Sequence, residues 1–324
     1  MYANYYKNFK KFIKNFSKIK SNPLILITIS GGQDSLCLMR LVNNYISNNH
    51  LLIDVHYLYV DHQWTNDSLE HIEHLINYLK YYKYKLFIYQ ISQLQFTESF
   101  ARKYRYKIIT QHAINYQCNL ILTGHNKTDK IETFFLNLLR GTGIHGATSL
   151  HLFNKLNQQQ YIFRPLLYLN KYYLSWLCKK YYLPIWSDTT NYNYSIKRNR
   201  IRYELMKYLQ NYFNYDIENH IISFIECLNQ DNEYIKQNAI KLYYKNRHTD
   251  YIALNYQITK VQNYALKKRL IQLFLYHNLN KIIDQHTILE ILKLMNLPKY
   301  NKKKIKYFFF QLNFNHEWLY ITFV

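Results

Sequence analysis

The chain has 324 residues, 48% of them hydrophobic, with Lys+Arg 42 against Asp+Glu 20 and a net charge of +22. That length suits about two domains, and the apolar content excludes wholesale disorder. The charge points to a polyanionic partner such as RNA, DNA or an anionic surface; Lys, Asn, Ile and Tyr abound beside only 6 Gly and 4 Pro, the residue usage of an AT-rich genome, so basicity supports and does not prove that partner.

At the N-terminus, Phe9, Phe12, Ile13 and Phe16 share one helical face, which predicts a basic helix packed before the first strand. This segment has neither a signal-peptide core nor the Arg and Ser of a transit peptide. Five of the six residues Leu24–Ile29 are large and apolar, and the run stops at Ser30-Gly31-Gly32. A short apolar run bounded by a turn signal reads as a buried parallel strand. Asp34 or Ser35 can then cap a helix whose apolar positions include Leu36, Leu38, Met39, Leu41 and Val42. A strand feeding a Gly-Gly turn at a helix N-terminus is an anion site. The backbone approaches closely, free N–H groups point outward, and the helix dipole favours negative charge. Two of the 6 glycines fall here, and the mononucleotide pattern G-x-x-x-x-G-K-[ST] occurs nowhere in the chain.

Leu51–Val60 reads as a second strand ending in Asp61-His62. A helix over Asn66–Tyr81, a strand at Lys85–Ile91, a helix over Thr97–Tyr116, a strand at Asn119–Thr123 ending in Gly124-His125, and a helix over Thr128–Leu139 follow. The alternation predicts an α/β fold with a doubly wound, mostly parallel sheet, whose ligands bind beyond the carboxyl ends of the strands. Ser30, Asp61 and His125 all lie at such ends. Acidic residues are scarce, so the placement of Asp34, Asp61, Asp129 and Glu132 at or just past strand ends is informative. His125, Asp129 and Glu132 are spaced i, i+4, i+7 on one helical face. Such carboxylates can hold Mg²⁺ or an ammonium group, and first-turn acids also cap helices; the spacing alone leaves both open.

The stretch Gly141-Thr-Gly-Ile-His-Gly146 formally fits G-x-G-x-x-G. It follows a helix and precedes Asp188 with no acid between, so a dinucleotide site is rejected in favour of a mobile loop near the active site. Cys37, Cys118, Cys178 and Cys227 are scattered without a C-x-x-C pair, which argues against a zinc ribbon, an iron–sulfur cluster or a disulfide framework. They read as small buried residues in a reducing compartment. No apolar run approaches a membrane span, so no membrane partner is expected. From about Tyr212 the chain reads as helical, with amphipathic stretches at Ile217–Tyr244, Thr259–Tyr276 and His286–Met295, basic clusters at Lys267-Lys268-Arg269 and Lys302-Lys303-Lys304, and a hairpin within Tyr307–Val324. With Tyr interleaved, such faces suit phosphate contact and base stacking, and equally a solvated helix face.

The Ser30–Ser35 pattern resembles the phosphate loop of the N-type ATP pyrophosphatases. Leu122–Gly143 resembles the signature segment of tRNA(Ile)-lysidine synthetases. Tyr59–His62, Ala101–Tyr106, Arg164–Leu167, Trp186–Asn191 and Lys197–Arg202 resemble further segments of that family in order and spacing. The likeness covers residues 10 to 210 well and the rest loosely. One departure stands out: where the family has His-His-x-Asp-Asp-Gln, this chain has His125-Asn126-Lys127-Thr128-Asp129-Lys130.

The resemblance implies a catalytic domain over residues 1–211 and a shortened, mainly helical, basic tRNA-binding domain over 212–324. It implies ATP and Mg²⁺ as cofactors, free L-lysine as a substrate, and a CAU-anticodon tRNA(Ile) as partner. The wobble cytidine would be adenylated at its 2-carbonyl oxygen, and the lysine amine would then attack that carbon and expel AMP. By the same resemblance, Ser30, Gly31, Gly32, Gln33, Asp34 and Ser35 would bind ATP, with Asp34 favouring Mg²⁺ and Asp61 near the metal or adenosine. Asp129 and Glu132, with His125, would hold lysine. Arg102, Arg105, Arg140, Arg198 and Arg202 would contact phosphates or the flipped cytidine. Rival readings are a sister adenylating tRNA enzyme and an RNA-binding relative without chemistry. A homodimer is left open, and the composition suits a plastid stroma or, alternatively, a bacterial cytoplasm.

Overall fold

The computed structural model describes residues 24–61, 68–91, 98–186, 194–281, 283–297, 304–307 and 310–323. The expected N-terminal helix, His62, residues 187–191 of the Trp186 segment, and Lys302 and Lys303 lie outside the described residues. The chain divides into two compact units, Met1–Ile225 and Glu226–Val324.

In the first unit the elements run β1 (Leu24–Ile29), α1 (Gln33–Asn48), β2 (Asp54–Asp61), α2 (Ser68–Tyr81), β3 (Lys85–Gln90), α3 (Glu98–Asn115), β4 (Leu120–Leu122) and α4 (Lys127–Leu139). They continue with α5 (Ile144–Ala147), β5 (Phe153–Lys155), β6 (Tyr161–Phe163), α6 (Lys171–Lys180), α7 (Lys197–Arg200), a π-helical turn (Ile201–Leu205), α8 (Met206–Tyr212) and the start of α9 (Ile217–Asn246). The sheet order is β3-β2-β1-β4-β6-β5, parallel except for β5 against β6. This is the doubly wound sheet expected from the alternation. Its centre is apolar on both faces because both are covered: Ile25, Ile27 and Ile29 pack with Leu36, Leu38 and Leu174 on one side, and Leu26, Leu58 and Ile121 with Ile109 and Ala113 on the other. Burial of each such side chain contributes about 1.5–3 kcal/mol.

The second unit holds β7 (Ala253–Asn255), α10 (Tyr256–Val261), α11 (Tyr264–Leu279), α12 (Gln285–Asn296), β8 (Ile305–Tyr307), β9 (Phe310–Asn315) and β10 (Trp318–Phe323). Its helices pack with an antiparallel sheet of order β7-β10-β9-β8 around Leu254, Phe274, Ile291, Phe310 and Leu319. The expected hairpin is β9–β10, turning at His316 with φ +48°.

Several boundaries differ from the sequence reading. The stretch Thr259–Tyr276 is two helices, because the Asn263 side chain accepts from the Ala265 N–H (3.0 Å) and starts α11 afresh. The second strand begins at Asp54, after a tight Leu51–Ile53 connection. The glycine segment is no open loop: Gly141 (φ +74°) follows the end of α4, Gly143 starts α5, and Asn137 Nδ2 donates to Gly146 O (2.8 Å) and Ser149 Oγ (3.0 Å). Cys37, Cys118 and Cys178 are buried as expected, whereas Cys227 is exposed on α9. Among the described residues, no helix is long and apolar enough to cross a membrane.

Candidate active site

Three strand ends meet on one rim of the sheet. The pairings Ile29↔Tyr59 and Ile27↔Leu122, extended along the strands, bring Ser30 level with Val60 and His125 and place Asp61 beside the glycine turn. Gly31 adopts φ +67°, and a Cβ there would stand 2.0 Å from His71 Nε2. His71 is stacked on Trp186, whose backbone N–H donates to Gly31 O (3.1 Å). At Gly124 a Cβ would come within 3.2 Å of the Asp34 and Ser35 backbone, so glycine lets the end of β4 approach the start of α1.

The cap of α1 differs from expectation. Gly32 occupies it, with no side-chain cap, so Asp34 and Ser35 fall inside the first turn. Ser35 Oγ instead accepts from the Ser30 N–H (3.1 Å) and donates to Gly32 O (3.0 Å), clasping the turn from within. The uncapped first-turn N–H groups at the positive end of the helix dipole remain suited to an anion. Gln33 contributes backbone to this turn while its side chain ties down α6, donating to Lys171 O (3.3 Å) and accepting from Ser175 Oγ (3.1 Å).

Asp34 reaches across to α4. Asn126 Nδ2 donates to Asp34 Oδ2 (2.9 Å). The same Asn126 caps α4, its Oδ1 accepting from the Asp129 N–H (3.0 Å) while its own N–H donates to Asp129 Oδ2 (2.9 Å), a reciprocal capping box. Burial, with the Asp129 charge second, pushes the Asp34 carboxyl up to about 6 against the pull of Lys171, Arg202 and Asn126. Asp34 Oδ1 is buried without a hydrogen-bond partner among the described residues.

Glu132, one turn on from Asp129, is fully buried between two arginines. Arg198 Nε lies 2.8 Å from Oε2 and Arg202 Nε 2.5 Å from Oε1, while Arg202 Nη2 is 3.7 Å from Asp129 Oδ1. Arg198 Nη2 also donates to Thr133 Oγ1 (3.2 Å). The arginines come from α7 and from the π-helical turn, whose extra residue per turn re-aims side chains. Burial and Asp129 push Glu132 up to about 6 while the guanidiniums pull down. Against the cost of its own burial, the Glu132 carboxylate holds Arg202 above the ordinary arginine range. In this arrangement Glu132 neutralises two cations and presents no free oxygen pair.

His125 is buried in a basic setting. Its Nδ1 is 2.8 Å from Thr123 Oγ1 and its Nε2 3.5 Å from Arg102 Nη2. A guanidinium only donates, so Nε2 accepts and the ring proton resides on Nδ1. Burial drives His125 down to about 3, leaving it neutral at pH 7. Asp129 is held below the ordinary range: burial raises it, but His125, Arg198, the Asn126 N–H and Arg202 outweigh that. With His125 neutral, the arginines carry this effect at physiological pH. Burial and neighbouring Arg102 lower Arg105.

Thus Asp34, Asp129, Glu132, His125, Arg102, Arg198 and Arg202 form one charge network, with Arg105 electrostatically coupled to it. Asp61 is buried at the end of β2, its carbonyl accepting from the Ile91 N–H (3.0 Å). Arg140 is exposed past the end of α4, roughly 16 Å along the helix axis from Asp129, and is not drawn into the network. Sequence reasoning missed two members. Asn126 stands out in the sequence only as a departure from the family pattern, although Asn before an i+3 acid is itself a capping signal. Arg164, 4% exposed, donates from Nη1 to His151 O (2.8 Å) and acts with Arg102 on the Tyr106 phenol; the sequence marks it only as the first residue of the Arg164–Leu167 segment and assigns it no role.

A helix-end anion seat and a bank of arginines fit a polyphosphate and a nucleic-acid backbone, and the unpartnered carboxylate oxygen fits a cation. Residues 1–209 match the PP-loop domain family. The chain is 42% identical over 315 residues to the chloroplastic tRNA(Ile)-lysidine synthase of Gracilaria tenuistipitata var. liui, spanning 96% of this chain and 97% of that one. It is 33% identical over 272 residues to the tRNA(Ile)-lysidine synthase of Thermosynechococcus vestitus, spanning 84% and 78%. Among solved structures, the U34-tRNA thiolase NcsA from Methanococcus maripaludis shares the fold, with TM-score 0.52 at 17% identity over 63% of this chain and 72% of that one. The chain belongs to the PP-loop family and, within it, to the tRNA(Ile)-lysidine synthases.

Proposed function

We propose that this chain is an ATP-dependent ligase that joins lysine to the 2-carbon of the wobble cytidine in a CAU-anticodon tRNA(Ile), in the plastid stroma. The observation that carries the reading is the Asp34–Asn126–Asp129 bridge, which fastens the glycine turn to the acidic helix start and brings an anion seat and a cation seat together.

In this reading the Ser30–Ser35 turn receives the phosphates of ATP on the uncapped N–H groups of α1. The orphaned Asp34 Oδ1 fits Mg²⁺, with Asp61 nearby; bound there, the metal would neutralise phosphate charge. The cytosine 2-oxygen attacks the α-phosphorus, the bond to the β-phosphate oxygen breaks, and pyrophosphate leaves. The lysine amine then attacks C2 of the adenylated ring, AMP departs with the former carbonyl oxygen, and the amine proton is lost. Adenylation turns a poor leaving group into a good one.

Asp129, kept ionised by its surroundings, holds the charged end of lysine beside Asp34. Glu132 acts by positioning Arg198 and Arg202 for phosphate or cytidine. Neutral His125 donates or accepts a hydrogen bond and adds no charge. Arg102, Arg105 and the exposed Arg140 extend the basic track toward tRNA. Residues 1–211 serve as catalytic domain and 212–324 as tRNA-binding domain, in which Arg269 is committed internally to Asn232 (2.7 Å) and the neighbouring Lys267 and Lys268 are half-buried.

The test is incorporation of labelled lysine into an unmodified CAU-anticodon tRNA(Ile) transcript with ATP and Mg²⁺, with elongator tRNA(Met) as decoy. Label confined to tRNA(Ile) and lost in Asp129→Ala supports the assignment. Pyrophosphate release without lysine incorporation points instead to a sister adenylating enzyme.

A further inference from the structure

The opposite flank of the sheet carries a second cluster that the ligase chemistry does not use. His56 on β2, His112 on α3 and Cys118, in the turn between α3 and β4, are all buried, at 6%, 1% and 0% exposure. One ligand atom from each lies within 4.8 Å of the others. His56 stands five residues before Asp61, roughly 16 Å down the strand from the rim. Two imidazoles and a thiol meeting in an apolar layer between Leu58, Ile109 and Ile121 is an unusual use of core volume.

We propose that His56 Nδ1, His112 Nε2 and Cys118 Sγ form a structural binding site for zinc(II). Two features carry this. First, the two ring nitrogens are already 3.4 Å apart, the separation that two ligands about 2.0–2.1 Å from a tetrahedral zinc adopt. Second, the far nitrogen of His112, Nδ1, lies 2.9 Å from Tyr89 Oη. A ligating histidine characteristically donates its other N–H to such a partner, which fixes the tautomer and aims the lone pair inward.

The donor set, two borderline nitrogens and one soft sulfur, selects zinc over magnesium or calcium. Binding replaces the Cys118 S–H proton by a Zn–S bond and releases that proton to solvent. The three ligands belong to β2, α3 and the α3–β4 turn, so the ion would pin α3 to the sheet through bonds absent from the unfolded chain.

The test uses the full chain prepared free of metal and titrated with cobalt(II) as the optical probe. Expected are one equivalent bound, intense visible bands of tetrahedral cobalt, a thiolate-to-cobalt charge-transfer band in the near ultraviolet, and displacement by zinc. Cys118→Ser should remove the charge-transfer band, and Cys227→Ser, at the exposed cysteine, should leave it intact. Tyr89→Phe should weaken binding about tenfold or more with unchanged folding. A charge-transfer band that survives Cys118→Ser overturns the proposal. So does a folded wild-type chain that gives no such band, or a Tyr89→Phe chain that binds as wild type; the histidines are then a hydrogen-bonded pair packed among Phe87 and Tyr116. The wild-type and Tyr89→Phe arms decide the matter even if Cys118→Ser fails to fold.

Discussion

Asn126 donates from Nδ2 to Asp34 Oδ2 at 2.9 Å while its Oδ1 caps α4 through the Asp129 N–H. One amide thus couples the glycine turn to the acidic helix. Asn126→Ala removes both bonds. Loss of the cap alone costs about 1 kcal/mol, and Asp34 loses the side-chain donor that holds it, so ATP affinity should fall with it. Asn126→Asp separates the two roles. It keeps the cap but puts a second carboxylate against Asp34, so stability at pH 8 should drop further than in Asn126→Ala and ATP binding should be lost. Calorimetric ATP titrations and urea unfolding check both; an Asn126→Asp chain that binds ATP normally refutes the bridge.

The Glu132 pair makes a separate prediction. Glu132→Gln keeps the shape and leaves Arg198 and Arg202 without their shared counter-charge. Removing one side of a buried ion pair costs about 3–5 kcal/mol, here moderated because both arginines keep some exposure, 22% and 17%. A loss near 3 kcal/mol in urea unfolding is expected, with activity falling because the guanidiniums lose their aim. A change below about 1 kcal/mol would show that the pair is not formed.

Asp34 should reveal itself by pH. Its folded value, about 6, exceeds the ordinary 3.8, so the native state binds this proton more tightly than the unfolded chain does. The group therefore favours folding at low pH and progressively disfavours it as pH rises through about 6. Asp34→Asn abolishes that penalty. It should stabilise the metal-free protein by on the order of 2 kcal/mol at about pH 8, with the gain fading toward about pH 4. The same variant should lose ligase activity, as expected where function retains a destabilising charge. Equal stability of the two proteins across the range would remove Asp34 from its buried position.

These residues also show what a sequence discloses. β1 and the glycine turn were legible because an apolar run broken by Gly-Gly has few other readings, and the acids past β4 were legible because acids are scarce in this chain. The capping residue was misjudged because Gly32 leaves the first turn open where Asp34 and Ser35 looked like ordinary caps. The partnership of Glu132 with Arg198 and Arg202 spans some 70 positions, and no local pattern encodes a contact at that separation. The split of Thr259–Tyr276 was hidden because its apolar spacing continues across Asn263. His56, His112 and Cys118 meet only through the crossover that brings α3 against β2.

Gly31 offers a test with an internal control. Its φ of +67° would strain any other residue by roughly 1–2 kcal/mol, and its missing side chain leaves room for His71 Nε2, which a Cβ would meet at 2.0 Å. Gly31→Ala therefore suffers both backbone strain and a clash with a ring held by Trp186 stacking and by Tyr59 Oη at 3.3 Å. Destabilisation of about 3 kcal/mol or more is expected, with ATP binding lost because the turn N–H groups shift. Adding His71→Ala removes the clash and leaves the strain. The double variant should then recover part of the stability lost by Gly31→Ala, despite deleting a further side chain, and should regain little ATP affinity. Thermal unfolding of the four proteins in this cycle measures the coupling directly. Additive losses would mean that His71 does not border the glycine turn.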